Sequence, residues 1–151
     1  MRVKNLLYVC TGNVFRSPVA AEMTKQLIGD RNIKAESAGI LRYDGPPLRR
    51  SIIELTKRHG IDLSAHIPRQ VNASLVGAAD LILVFDNKQI AELIEKYPRA
   101  KNKTYTIKSF AGYCDDQDME DLWDKPPQVF KRFIGELRVY LEKCVNRIKT
   151  Q

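Results

Sequence analysis

Residues Leu81-Ile82-Leu83-Val84-Phe85 form an apolar run with no polar interruption, bounded by Asp80 and Asp86. A strand with one wet face alternates apolar and polar side chains, so an unbroken run predicts a strand covered on both faces of a parallel sheet. Leu6-Leu7-Tyr8-Val9 repeats the pattern near the start of the chain, and shorter strands are expected at residues 33–37 and 104–107. Helical patterns separate these runs. Residues 18–29 place Ala20, Met23 and Leu27 on one face, 48–59 carry Ile52, Ile53 and Leu55 up to Gly60, 73–78 follow Asn72, and 87–97 stop at Pro98. The longest helix is expected at 127–148, where Phe130, Phe133, Ile134, Leu137, Leu141, Cys144, Val145 and Ile148 recur at three-and-four spacing. This alternation predicts the α/β class: a single-domain, doubly wound sheet of about four parallel strands flanked by helices, joined by right-handed crossovers.

Ligands of such sheets gather beyond the carboxyl ends of the strands. After the first strand the chain reads Cys10-Thr11-Gly12-Asn13-Val14-Phe15-Arg16-Ser17-Pro18. Ser17 before Pro18 is the favoured pairing of an N-cap with a first helical residue, and Gly12 and Asn13 both tolerate left-handed backbone. Amides of Thr11 to Arg16 then converge unpaired at a helix N-terminus, a place suited to a phosphate-sized anion. Cys10 is aimed at that anion as a nucleophile, Arg16 supplies a guanidinium for it, and the Ser17 hydroxyl can donate to the sulfur. A cysteine after an apolar strand is more often a small core residue, and arginine is common in a chain with 25 Lys plus Arg. The joint pattern of strand, Cys, Gly-Asn, Arg and Ser-Pro favours the functional reading.

Composition narrows the classes. At 151 residues and 44% hydrophobic, the chain can bury a core without disulfides or metals. Three cysteines with no close pair fit a reducing compartment, and no apolar run reaches membrane-spanning length, so a cytoplasmic protein with no membrane partner is expected. The net charge of +7 is scattered, without interleaved aromatics. It reads as attraction for anionic substrates rather than a nucleic-acid groove. The polar stretch at 112–120 is the expected mobile loop.

At Cys10 to Pro18 the sequence resembles the low-molecular-weight protein tyrosine phosphatase family, through its Cys-x5-Arg-Ser signature with the internal Gly-Asn. The likeness continues at Ser37-Ala38-Gly39, Gly45-Pro46-Pro47, His59-Gly60-Ile61, His66 with Arg69-Gln70, and Ala79-Asp80-Leu81-Ile82-Leu83, and so spans nearly the whole chain. The resemblance implies one phosphatase domain over 1–151, hydrolysing phosphotyrosine through a cysteinyl-phosphate intermediate. Its substrate would be a phosphorylated protein or peptide, its product inorganic phosphate, and it would need no cofactor and no metal. Residues Thr11, Gly12, Asn13, Val14, Phe15 and Arg16 would hold the phosphate, with Ser17, Ser37 and His66 bracing the loop. The family's general acid lies in an Asp-Pro-aromatic sequence before the last helix. Asp121-Leu122-Trp123 matches it, with Asp124 as a rival for Asp121, and Trp123 stands either at the pocket mouth or in the core.

Three departures bear on function. Leu122 replaces the usual proline, which would fix the backbone beside the acid, so a looser loop is expected. Phe15 stands where many members carry a second cysteine that traps the oxidised nucleophile, so Cys10 lacks that protection. Val14 stands where the protein-arginine phosphatase branch has threonine, which leans toward phosphotyrosine. Phosphoarginine and, less favoured, arsenate reduction remain as alternative activities of the same fold, beside a phosphate-binding module without turnover.

Overall fold

The computed structural model describes residues 2–29 and 31–150. Its strands are β1 (Asn5–Cys10), β2 (Lys34–Gly39), β3 (Leu81–Val84) and β4 (Thr104–Thr106), all parallel, in the order β2-β1-β3-β4. The helices are α1 (Arg16–Ile28), α2 (Arg50–Lys57), α3 (Ala73–Ala78), α4 (Asn87–Lys96), α5 (Ile107–Phe110) and α6 (Pro127–Lys149), with a 3-10 turn at Pro98–Lys103. Among them no helix is long and apolar enough to cross a membrane.

The two apolar runs are the inner strands, and their side chains divide between two cores with the period of two that a pleated strand imposes. Leu6, Tyr8, Leu81, Leu83 and Phe85 pack with α1, α2 and α6, while Leu7, Val9, Ile82 and Val84 pack with Val76 of α3 and Leu93 of α4. The chain leaves β1 toward β2 on one side and later returns to β3 on the other. The carboxyl end of β1, with Cys10, therefore lies at the point where the winding reverses.

Local expectations fail at Ser17 and at the last strand. Ser17 does not cap α1; the helix starts at Arg16, Phe15 takes the N-cap position, and no side chain caps it. Ser17 lies inside the first turn, where its hydroxyl is engaged by Cys10 and Asn13 instead. The last strand also ends one residue early, because Thr106 accepts the Ser109 N–H and turns 107–110 into a helical turn.

Candidate active site

The loop between β1 and α1 is bent around Asn13, whose φ of 59° lies in the left-handed region that most side chains avoid. Bonds from four directions hold it there. Asn13 Nδ2 donates to Ser17 Oγ at 2.7 Å and to Ser37 Oγ at 3.0 Å, and Asn13 Oδ1 accepts the Arg69 N–H at 3.0 Å. His66 Nε2 donates to the Asn13 carbonyl at 2.7 Å. Gly39 lets β2 approach from below: a Cβ there would stand 2.9 Å from Gly12 C and Thr11 O.

Cys10 is buried beneath this bend, its sulfur 3.0 Å from Ser17 Oγ and 3.3 Å from the Asn13 amide that donates to it. Because Asn13 fills an acceptor site of Ser17, the hydroxyl proton is left for Cys10 or for the Ala38 carbonyl, which is farther at 3.4 Å. Arg16 is 6% exposed, with Cζ 5.5 Å from the Phe85 ring centroid and Nη1 3.9 Å from Asp86 Oδ2. That Nη1 has no hydrogen-bond partner among the described residues. An orphaned buried guanidinium N–H costs free energy comparable to a lost charged hydrogen bond, unless an anion completes it.

Cys10 and Arg16 line a cavity of about 610 Å³ together with Gly12, Val14, Tyr43, Asp121 and Trp123, while Asn13, Ser17, Ser37 and His66 stand behind its lining. Asp121 and Asp124 both line it, so both candidate acids are present. Asp121 Oδ1 accepts the Trp123 N–H at 3.1 Å, while Asp124 has a φ of 66° and serves the turn. Trp123 is 62% exposed and packs edge-on against Tyr43 with ring centroids 6.4 Å apart, which places it at the mouth and not in the core. Leu122 is 2% exposed within the main core, so a buried side chain anchors the loop where a proline ring would have stiffened it.

Residues without a sequence signal complete the site. Tyr43 forms a wall, held by its hydroxyl on the Pro46 carbonyl. Arg49 reaches across to the Lys125 carbonyl at 2.5 Å and lies over Phe130, linking the two walls. Gln89 is buried; its Oε1 takes the Phe85 and Asp86 amides and its Nε2 donates to Thr11 Oγ1 at 3.3 Å. The Asp86-x-x-Gln89 spacing signals a capping box in sequence, but not the bond to Thr11. Phe15 packs edge-on against Phe130 at 4.8 Å, tying the loop to α6.

Cys144 lies away from the cavity. Burial pushes the Cys144 thiol up to about 12, and it donates to the Ile107 carbonyl. Cys114 is exposed, and all three cysteines are free. Beside the loop, hydrogen bonds from Lys34 and Arg69 hold the Glu36 carboxyl below its usual range, which keeps Arg69 paired and in place. Among the described residues no cluster of His, Cys, Asp and Glu could hold a metal ion.

Comparison with known proteins places this geometry. A probable low molecular weight protein-tyrosine-phosphatase EpsP of Ralstonia nicotianae is 32% identical over 147 residues, covering 97% of each chain. A protein-arginine-phosphatase of Geobacillus stearothermophilus is 30% identical over 148 residues, again covering 97% of each. The crystal structure of a low molecular weight protein tyrosine phosphatase from T. tengcongensis superposes with a TM-score of 0.84 at 32% identity, covering 95% of this chain and 98% of that one. Residues 5–151 match the family model described as low molecular weight phosphotyrosine protein phosphatase, and the chain belongs to that family.

Proposed function

We propose that the protein is a metal-independent phosphatase that hydrolyses aryl phosphates, phosphotyrosine in a protein or peptide above all, through a cysteinyl-phosphate intermediate. The observation that carries this reading is the buried Arg16 guanidinium, one nitrogen of which lacks a hydrogen-bond partner among the described residues, in the lining of the same cavity as Cys10, Thr11, Gly12, Val14 and Phe15. A phosphoryl group there receives the amides of Thr11 to Arg16 and the guanidinium, which stabilise its transition-state charge.

Cys10 Sγ attacks phosphorus in line, the bond from phosphorus to the leaving oxygen breaks, and Asp121 gives that oxygen its proton. The Asp121 carboxylate then takes a proton from water, the water oxygen attacks phosphorus, and the sulfur–phosphorus bond breaks. The departing thiolate is stabilised by the Ser17 hydroxyl at 3.0 Å, and inorganic phosphate leaves. Ser37 and His66 act through Asn13, holding the amides in place. Tyr43 and Trp123 form aromatic walls that suit a phenyl ring. The three free thiols fit a reducing compartment such as the cytoplasm.

The 30% identity to a protein-arginine-phosphatase supports a second reading, phosphoarginine hydrolysis. Val14 in the cavity lining favours the first, because its isopropyl group offers a guanidinium nitrogen no hydrogen bond. Steady-state hydrolysis of a phosphotyrosine peptide and of phosphoarginine, with chelator present, tests both. Preference for phosphotyrosine, lost in Cys10→Ser, supports the first reading; preference for phosphoarginine replaces it with the second.

A further inference from the structure

The turn joining β3 to α4 touches both halves of the pocket. Toward the phosphate loop, Gln89 bonds Thr11 and Asp86 faces Arg16. Toward the loop that carries Asp121, the Phe85 carbonyl accepts the Met119 N–H at 2.7 Å. Beside it, Asp118 Oδ1 accepts both the Asn87 N–H at 2.9 Å and Asn87 Nδ2 at 3.1 Å. Lys108 Nζ donates to the Asp118 carbonyl at 3.2 Å. Past this dock, Met119 and Leu122 are buried, while Asp121 between them is exposed and lines the cavity.

We propose that Asp118 is a positioning residue for the proton donor Asp121, docking the acid loop on the same turn that holds Thr11 and Arg16 and so setting the donor's register over the phosphate. The inference rests on the reading of Asp121 as the acid. Asp118 acts through one acceptor oxygen rather than through its charge or its own proton, and that oxygen survives in the Asp118→Asn variant.

The test compares Asp118→Ala, Asp118→Asn, Asp121→Asn and wild type on p-nitrophenyl phosphate, whose more acidic leaving phenol depends less on protonation, and on phenyl phosphate, whose poorer leaving group depends more on the acid. Melting temperature and inhibition by inorganic phosphate are measured alongside. Asp118→Ala is expected to lose about tenfold in kcat/KM on phenyl phosphate but less than about threefold on p-nitrophenyl phosphate. Its phosphate inhibition stays unchanged, and Asp118→Asn restores wild-type behaviour. Equal losses on both substrates, weakened phosphate inhibition, or an Asp118→Asn variant as slow as Asp118→Ala overturns the proposal. A steep leaving-group dependence in Asp121→Asn beside a wild-type ratio in Asp118→Ala removes the positioning role alone. An unchanged ratio in Asp121→Asn removes the acid assignment, and the positioning role with it.

Discussion

The loop at residues 10–16 is pinned by directional bonds to its own backbone and side chains, from Ser17, Ser37, His66 and Arg69, and its key residues are buried. The loop carrying Asp121 faces it across the pocket with its polar side chains in water, held by the apolar anchors Met119 and Leu122 and by the bonds of Asp118 and Met119 to the β3–α4 turn. The difference follows from the tasks proposed for them. A cradle for a transition state gains from donors fixed to within tenths of an ångström, whereas a proton donor must approach, withdraw and meet water once per turnover. Each loop holds one side chain in the left-handed region, Asn13 in the first and Asp124 in the second, and Asn13 is sustained there because the surrounding bonds over-determine it.

Variants can break this contrast, and the largest effects should come from the cradle. Cys10→Ser is expected to reduce phosphotyrosine hydrolysis to background while phosphate still binds by calorimetry; residual turnover would contradict the nucleophile assignment. Arg16→Lys, which keeps the charge but loses the fork, should lower kcat/KM by about 10²–10³. Asp121→Asn should cost about 10²-fold on phenyl phosphate, with Asp124→Asn near wild type. The reverse ranking would move the acid to Asp124.

Smaller effects separate the two supports. Asn13→Ala removes bonds on both sides of a left-handed residue and should cost about 2–4 kcal/mol in urea denaturation, with kcat falling as well. Leu122→Ala should cost about 2 kcal/mol and alter turnover without weakening phosphate inhibition. If phosphate inhibition weakens in Leu122→Ala, the two loops are not held independently. The smallest change is expected away from the site at Asp80, whose carboxyl is held below its usual range by the Lys4 and Asn5 amides at the start of β1. A lowered folded value means that the stabilisation is complete above the unfolded value of about 3.9 and is lost as pH falls through the folded one. The stability deficit of Asp80→Ala should therefore narrow below about pH 4.

The sheet was legible where burial is written into single residues. Leu81–Val84 lacks any polar residue and is an inner strand, and Asn72 caps 73–78 as its side chain predicts. Ser17 misled because Ser-Pro obeys a local rule, while its hydroxyl answers to Cys10 and Asn13 in the folded chain. The helical turn at Ile107–Phe110 is too short to show a period; only Thr106 three residues before Ser109 hints at it. At the site, groups along one loop were readable because their order in the chain is their order in space. Arg49 and Gln89 were not: their partners at Lys125 and Thr11 lie 76 and 78 positions away, and no local pattern encodes such pairs.

Trp123, the one tryptophan of the chain, stands 62% exposed at the pocket mouth against Tyr43. Its emission therefore comes from a single known place, free of overlap from other indoles. A ring entering the cavity beside it would shield it from water, shifting the spectrum toward the blue. The protein thus carries its own optical reporter, with which binding and product release can be timed by stopped flow without attaching a label.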